Sequence, residues 1–156
     1  MLDLARDTTP RTIADPLPDA SGAPAVLVID DDPVHRMVLC KTSERAGLVP
    51  TAAGSFGAAI SLLRRNAYAA ITLDLSLGTR NGLDVLHALA GMRCRTPIVI
   101  VSGTSAGMRT EMASLAGLMQ LDVRRTMAKP VDLALLRHEL TAIRHESEPT
   151  AQRLTA

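Results

Sequence analysis

Apolar residues along the chain follow two alternating periods. Short continuous runs occur at Ala25-Val26-Leu27-Val28-Ile29, Ile71-Thr72-Leu73 and Pro97-Ile98-Val99-Ile100-Val101, with a less apolar one from Val123 to Ala128. Runs of this length bounded by turn residues read as buried strands. Between them the apolar residues recur at helical spacing. Asp32 before Pro33 predicts a helix start that runs to about Ala46 and stops at Gly47. Ser55 caps a second helix through Arg65, with Ala59, Ile60, Leu62 and Leu63 on its apolar side. A loop from Gly78 to Gly82 leads into a third helix carrying Leu83, Leu86 and Leu89. A fourth starts near Ser105 with Met108, Met112, Leu115 and Met119 on one face, and Leu115 to Asp122 reads as its extended end. Asp132 caps a fifth, where Leu133, Leu136, Leu140 and Ile143 repeat. Leu48 to Ala52 completes the strands, and Pro50 restricts it to an edge or bulge. The alternation is βαβαβαβαβα. Right-handed crossovers then give an α/β, doubly wound, five-stranded parallel sheet in the order 2-1-3-4-5, with helices on both faces.

Composition narrows this further. A chain of 156 residues suits a single domain and leaves no room for a second. A net charge of +1, with basic residues scattered, gives no field for nucleic acid or an anionic membrane. The apolar runs are strand-sized, far below the roughly 20 residues that span a bilayer. The N-terminal segment lacks an apolar core of signal-peptide length, so a cytoplasmic setting is expected. Residues 1–23, with Pro10, Pro16 and Pro18 among Asp, Thr and Ser, read as a mobile arm, 24–145 as the domain and 146–156 as a short tail. Cys40 and Cys94 are isolated from each other and from any metal-ligand spacing, and read as reduced thiols.

The strand ends carry the chemistry. The first strand runs into Asp30-Asp31-Asp32, the third into Asp74, the fourth into Ser102-Gly103 and the fifth into Lys129-Pro130. In a parallel sheet these ends face one side, so acid, acid, hydroxyl and ammonium can converge although far apart in sequence. With Asn81-Gly82-Leu83 after Asp74, this set resembles the response-regulator receiver domain, the phosphoacceptor module of two-component signalling, over roughly residues 24 to 144.

That resemblance implies a flavodoxin-like fold. It also implies an aspartyl phosphate formed on Asp74 from a sensor histidine kinase or phosphotransfer protein. Asp31, Asp74 and the backbone carbonyl of Ser76 become direct ligands of Mg2+, and Asp30 a ligand through water. Ser102 and Lys129 become donors to the phosphoryl oxygens. The chemistry is consistent: a carboxylate is ionised at neutral pH and needs no general base, while an anionic donor needs neutralising by an oxygen-ligated cation. The chain is then a phosphoacceptor with limited self-phosphorylation and self-dephosphorylation, not an enzyme in its own right. The family's aromatic switch position, three residues before the lysine, is Thr126 here, so output is expected from helix 4, strand 5 and helix 5, towards a downstream protein or a second copy.

No DNA-binding output segment is visible after residue 145, which suggests a single-domain regulator or a receiver fragment of a larger one. Two other readings compete. A haloacid-dehalogenase-type phosphatase would use Asp30 as nucleophile with a second acid two residues on, but leaves Asp74 unexplained. A flavin binder would need Gly, Ser and Thr in the first loop, where Asp30, Asp31 and Asp32 repel phosphate.

Overall fold

The computed structural model describes residues 22–78 and 80–148, except the side chains of residues 80 and 81. The expected arm and tail lie outside the described residues, save for 22–23 and 146–148. The elements are β1 (Ala25–Ile29), α1 (Pro33–Arg45), β2 (Val49–Ala53), α2 (Phe56–Arg65), β3 (Ala70–Leu73), β4 (Ser76–Leu77), β5 (Arg80–Asn81), α3 (Gly82–Gly91), β6 (Ile98–Ser102), α4 (Ala106–Leu118), β7 (Val123–Ala128) and α5 (Leu133–Ser147). Five strands form one parallel sheet in the order β2-β1-β3-β6-β7. This is the expected 2-1-3-4-5 order, with β4 and β5 set apart as a separate antiparallel pair.

Strand residues point alternately to the two faces, and here both faces are apolar. Leu27, Ile29, Ile71, Leu73, Ile98 and Ile100 pack with Ala59, Val85, Leu86, Leu89 and Ala116, filling the layer under α2, α3 and α4. Their neighbours Val26, Val28, Ala70, Val99 and Val101 pack with Leu39, Leu136, Leu140 and Ile143, the layer under α1 and α5. Each fully buried Leu, Ile or Val contributes roughly 1.5–3 kcal/mol relative to exposure, which makes these two layers the main support of the sheet. The hydroxyl of Thr72, buried on β3 among the valines, has no hydrogen-bond partner among the described residues.

Helix starts follow the sequence. Asp32 accepts from Val34 and His35 N–H, Ser55 from Ala58, Ser105 from Met108 and Asp132 from Leu135. Pro50 lies in β2, an edge strand, opposite Val26.

Several expectations need correction. The Gly78–Gly82 segment is not a plain loop, because Ser76–Leu77 and Arg80–Asn81 pair as a small hairpin turning at Gly78. Two-residue strands carry too little periodicity to be read from sequence. The second strand is Val49–Ala53, one residue later than expected. α4 ends at Leu118 rather than running to Asp122, closed by Met119 and by Gln120 in the left-handed region at φ 63°. Only part of its methionine face is core: Met112 and Met119 pack inward, whereas Met108 is largely exposed. Leu133 is also exposed, and Val85 takes the buried place in α3 that was expected for Leu83. α5 continues to Ser147, two residues past the expected domain end.

Candidate functional site

The site residues are placed by the last rungs of the sheet. Asp30 N–H donates to Ala53 O at 3.1 Å, Asp74 N–H to Ile29 O at 2.9 Å and Lys129 N–H to Ser102 O at 3.0 Å. Each functional residue is therefore the first one after its strand whose backbone still belongs to the ladder, and its side chain leaves the sheet at a fixed place. β1 and β3 are adjacent, and the connections from them run to opposite edges. A crevice opens at such a reversal, beyond the carboxyl ends of the strands.

Asp30, Asp31 and Asp74 meet there, each offering a carboxylate oxygen within 4.8 Å of the others. Asp30 and Asp74 are buried, at 0% and 3% exposure, while Asp31 is exposed. Lys129 Nζ bridges the two buried acids, 3.0 Å from Asp74 Oδ2 and 3.2 Å from Asp30 Oδ2. The other oxygens are held by backbone: Ser76 N–H donates to Asp74 Oδ1 at 3.0 Å, Asp32 N–H to Asp30 Oδ1 at 2.9 Å and Gly78 N–H to Asp31 Oδ2 at 3.2 Å. The β4–β5 hairpin thus closes the site through two amides, from Ser76 and Gly78.

Gly82 anchors the far end of that hairpin. Its N–H donates to Leu75 O at 2.7 Å, and a Cβ there would lie 2.6 Å from Leu75 Cα. Only glycine fits so close to the residue following Asp74.

The electrostatics are poised rather than neutralised. Burial pushes the Asp74 carboxyl above the ordinary carboxylate range, opposed by the Ser76 amide and Lys129, while Asp30 adds repulsion. Burial also works against a charged Lys129, but Asp74 and Asp30 outweigh it and leave its pKa raised. Lys129 is accordingly a firm cation between two carboxylates. The three acids provide hard oxygen donors only, a set that suits Mg2+ rather than a thiophilic metal.

Ser102 is fully buried at the end of β6, and its hydroxyl donates to Thr104 Oγ1 at 3.2 Å and accepts from the Thr104 amide at 3.2 Å. Arg109 on α4 in turn donates to Thr104 O. Thr126 lies half-buried on β7, paired with Ile100.

Sequence reasoning missed three participants. His35 Nδ1 engages Asp30 Oδ2, Arg36 donates to Asp30 O at 2.7 Å, and Thr104 holds Ser102. The signal for the first two lies in Asp32-Pro33-Val34-His35-Arg36, since side chains in the first turn of a helix lean back towards its N-terminus. Gly54 leaves room for Arg36, whose Nη1 lies 2.8 Å from where a Cβ would stand.

A five-stranded parallel sheet with its acids and lysine gathered at the carboxyl ends of the strands defines a phosphoacceptor-type α/β domain. The chain belongs to the response regulator receiver domain family, whose description matches residues 26–141. It is 33% identical over 120 residues to the photosynthetic apparatus regulatory protein RegA of Cereibacter sphaeroides, covering 76% of this chain and 61% of RegA. It is 32% identical over 116 residues to the sensory/regulatory protein RpfC of Xanthomonas campestris pv. campestris, covering 71% of this chain and 15% of RpfC. Among solved structures, a response regulator from Colwellia psychrerythraea superposes with a TM-score of 0.69 at 25% identity, covering 80% of this chain and 99% of that one. The chain thus spans 61% of the length of RegA and 15% of that of RpfC, less than two thirds of either. None of the likenesses supports the haloacid-dehalogenase reading. Among the described residues, no helix is long and apolar enough to cross a membrane.

Proposed function

We propose that this receiver domain takes a phosphoryl group onto Asp74 from a phosphohistidine on a sensor kinase or phosphotransfer protein. The observation that carries this reading is one ammonium, Lys129 Nζ, shared by two buried carboxylates next to a third that faces solvent. Asp74 Oδ forms the new P–O bond as the donor's P–N bond breaks, and the leaving imidazole keeps the electron pair and takes up a proton. Lys129, already 3.0 Å from Asp74, follows the charge onto a phosphoryl oxygen. Ser102 supplies a hydroxyl to another oxygen once Thr104 releases it. Asp31 and Asp74, with the Ser76 carbonyl, would hold the ion directly, and Asp30 would act on it through water. The positive charge that lets an anionic donor approach a carboxylate comes from Mg2+ bound at these acids.

The output surface in this reading is α4, β7 and α5, facing a downstream protein or a second copy of the chain. β7 is an edge strand of the sheet, and Leu118 on α4, shortly before it in sequence, is 82% exposed. On the same side Arg124 makes a bidentate pair with Glu146, 2.7 Å for each bond, and Arg125 pairs with Glu139 at 2.7 Å. With Thr126 at the aromatic position, movement of the loop after Ser102, and of α4, which Arg109 ties to Thr104, carries the signal. We further propose a cytoplasmic setting, and a domain spanning 24–145 between an arm and a tail.

The test is incubation with a small phosphodonor and Mg2+, read by intact mass. Wild type gains one base-labile phosphoryl group. An unchanged adduct in Asp74→Asn overturns the assignment.

A further inference from the structure

Asp30 carries more donors than either of the other acids. Its Oδ1 accepts from Asp32 N–H at 2.9 Å, and its Oδ2 accepts from Lys129 Nζ at 3.2 Å and from His35 Nδ1. Among the described residues Asp74 has two such bonds and Asp31 has one. Asp30 is also wholly buried, so no bulk water competes for it. Both lone pairs of Oδ2 are taken, so a divalent ion, or a water that the ion holds, can use that oxygen only if one of its two donors yields.

The two donors differ in what they lose. Lys129 is pinned from two sides, since it also bonds Asp74. His35 makes this one side-chain bond and is 20% exposed, so a rotation of its ring trades the bond for water. His35 is therefore the donor that yields. Its hold on Asp30 is a term that ion binding must first overcome. The argument needs only a proton on Nδ1, whatever the charge of the ring.

We propose that His35 sets the site's affinity for its divalent ion by competing with the ion for Asp30. The inference rests on the reading of Asp30, Asp31 and Asp74 as a Mg2+ site, and it makes His35 a residue that weakens occupancy in the resting protein. A hydrogen bond to a charged group is strong enough for its removal to tighten binding by about three- to tenfold, after the compensating gain of solvent by the free ring is subtracted.

The experiment is calorimetric titration of the full chain with MgCl2 at one pH and ionic strength, comparing wild type with His35→Leu and His35→Gln. His35→Leu removes the donor and keeps an apolar stem. His35→Gln keeps an amide donor of similar reach. The expected order is His35→Leu binding about three- to tenfold more tightly than wild type, with His35→Gln close to wild type. Where His35→Leu does not fold by circular dichroism, His35→Ala makes the same comparison, because the partly exposed ring leaves no sealed cavity. Equal affinity in wild type and the donor-free variant overturns the competition while leaving the metal site standing. Weaker binding in the donor-free variant also overturns it, and makes the imidazole a ligand or a support instead. Absence of Mg2+ binding in every form overturns the metal site itself, and this inference with it.

Discussion

The two ends of the sheet are built on opposite principles. At the amino end, α3 and α4 close on the backbone: Arg93 and Gln120, both in the left-handed region, donate to Ala90 O and Gly117 O, and the next residues, Cys94 and Leu121, donate to Leu89 O and Ala116 O. These are ordinary helix closures in which each orphan carbonyl finds a partner. At the carboxyl end, two buried carboxylates share one ammonium, and an exposed third acid stands beside them. The helix caps there support the fold, but the cluster of acids works against it, since burial and the neighbouring carboxylate both disfavour a charged Asp74. The contrast teaches where this molecule holds charge in reserve: the amino end and the two apolar layers stabilise the fold, and the carboxyl end keeps unspent electrostatic energy for chemistry.

The largest expected effect comes from removing the shared cation. Lys129→Met strands Asp30 and Asp74 against each other and lowers stability at neutral pH by about 2–3 kcal/mol, the low side of the cost of a stranded buried charge because Lys129 is partly exposed. Urea denaturation checks this, and an unchanged midpoint would mean that the carboxyl end is not under strain.

Gly82→Ala follows, with a loss of about 2 kcal/mol, because the new Cβ overlaps the backbone of Leu75 and that residue must shift. The same shift moves Asp74, so phosphoryl uptake should slow more than an equally destabilising change at the amino end would make it do. Comparison with a core variant of matched stability separates the two effects.

Asp74→Asn should stabilise the ion-free protein. Burial raises the folded-state pKa of Asp74 above the ordinary 3.8, so the folded chain binds this proton more tightly than the unfolded chain does. That contribution is full below the ordinary value and is lost as pH rises through the raised one. The advantage of Asp74→Asn over wild type is therefore near zero below pH 3.8 and grows as pH rises through the raised value towards neutrality. Melting curves across that range supply the check; an advantage that shrinks with rising pH contradicts the sign.

The smallest change belongs to the amino end. Gln120→Gly relieves a left-handed residue without touching the site, and should add about 0.5–1 kcal/mol while leaving phosphoryl uptake unaltered.

Much of this was legible in the chain, because strands buried on both faces are continuous apolar runs and their ends are marked by polar residues. Asp30, Asp74 and Ser102 stand where such runs end, and Lys129 follows the less apolar β7, so the ladder that fixes them is legible in the sequence. The hairpin at Ser76–Leu77 and Arg80–Asn81 could not, since two-residue strands have no period. His35 and Thr104 were hidden for a different reason. Their roles depend on the direction of one side chain, and neither spacing nor composition reports it. Gln120 ends α4 where a glycine would have signalled the stop, and the helix was read past its end to Asp122.

The central claim is that the carboxyl end keeps Asp74, and no other acid, as the nucleophile. Reduction with borohydride after exposure to a phosphodonor and Mg2+ converts an acyl phosphate to the alcohol, so the modified aspartate reads as homoserine in peptide sequencing by mass spectrometry. Homoserine at position 74 alone is the predicted result. Homoserine at Asp30 or Asp31, with position 74 unmodified, would contradict it.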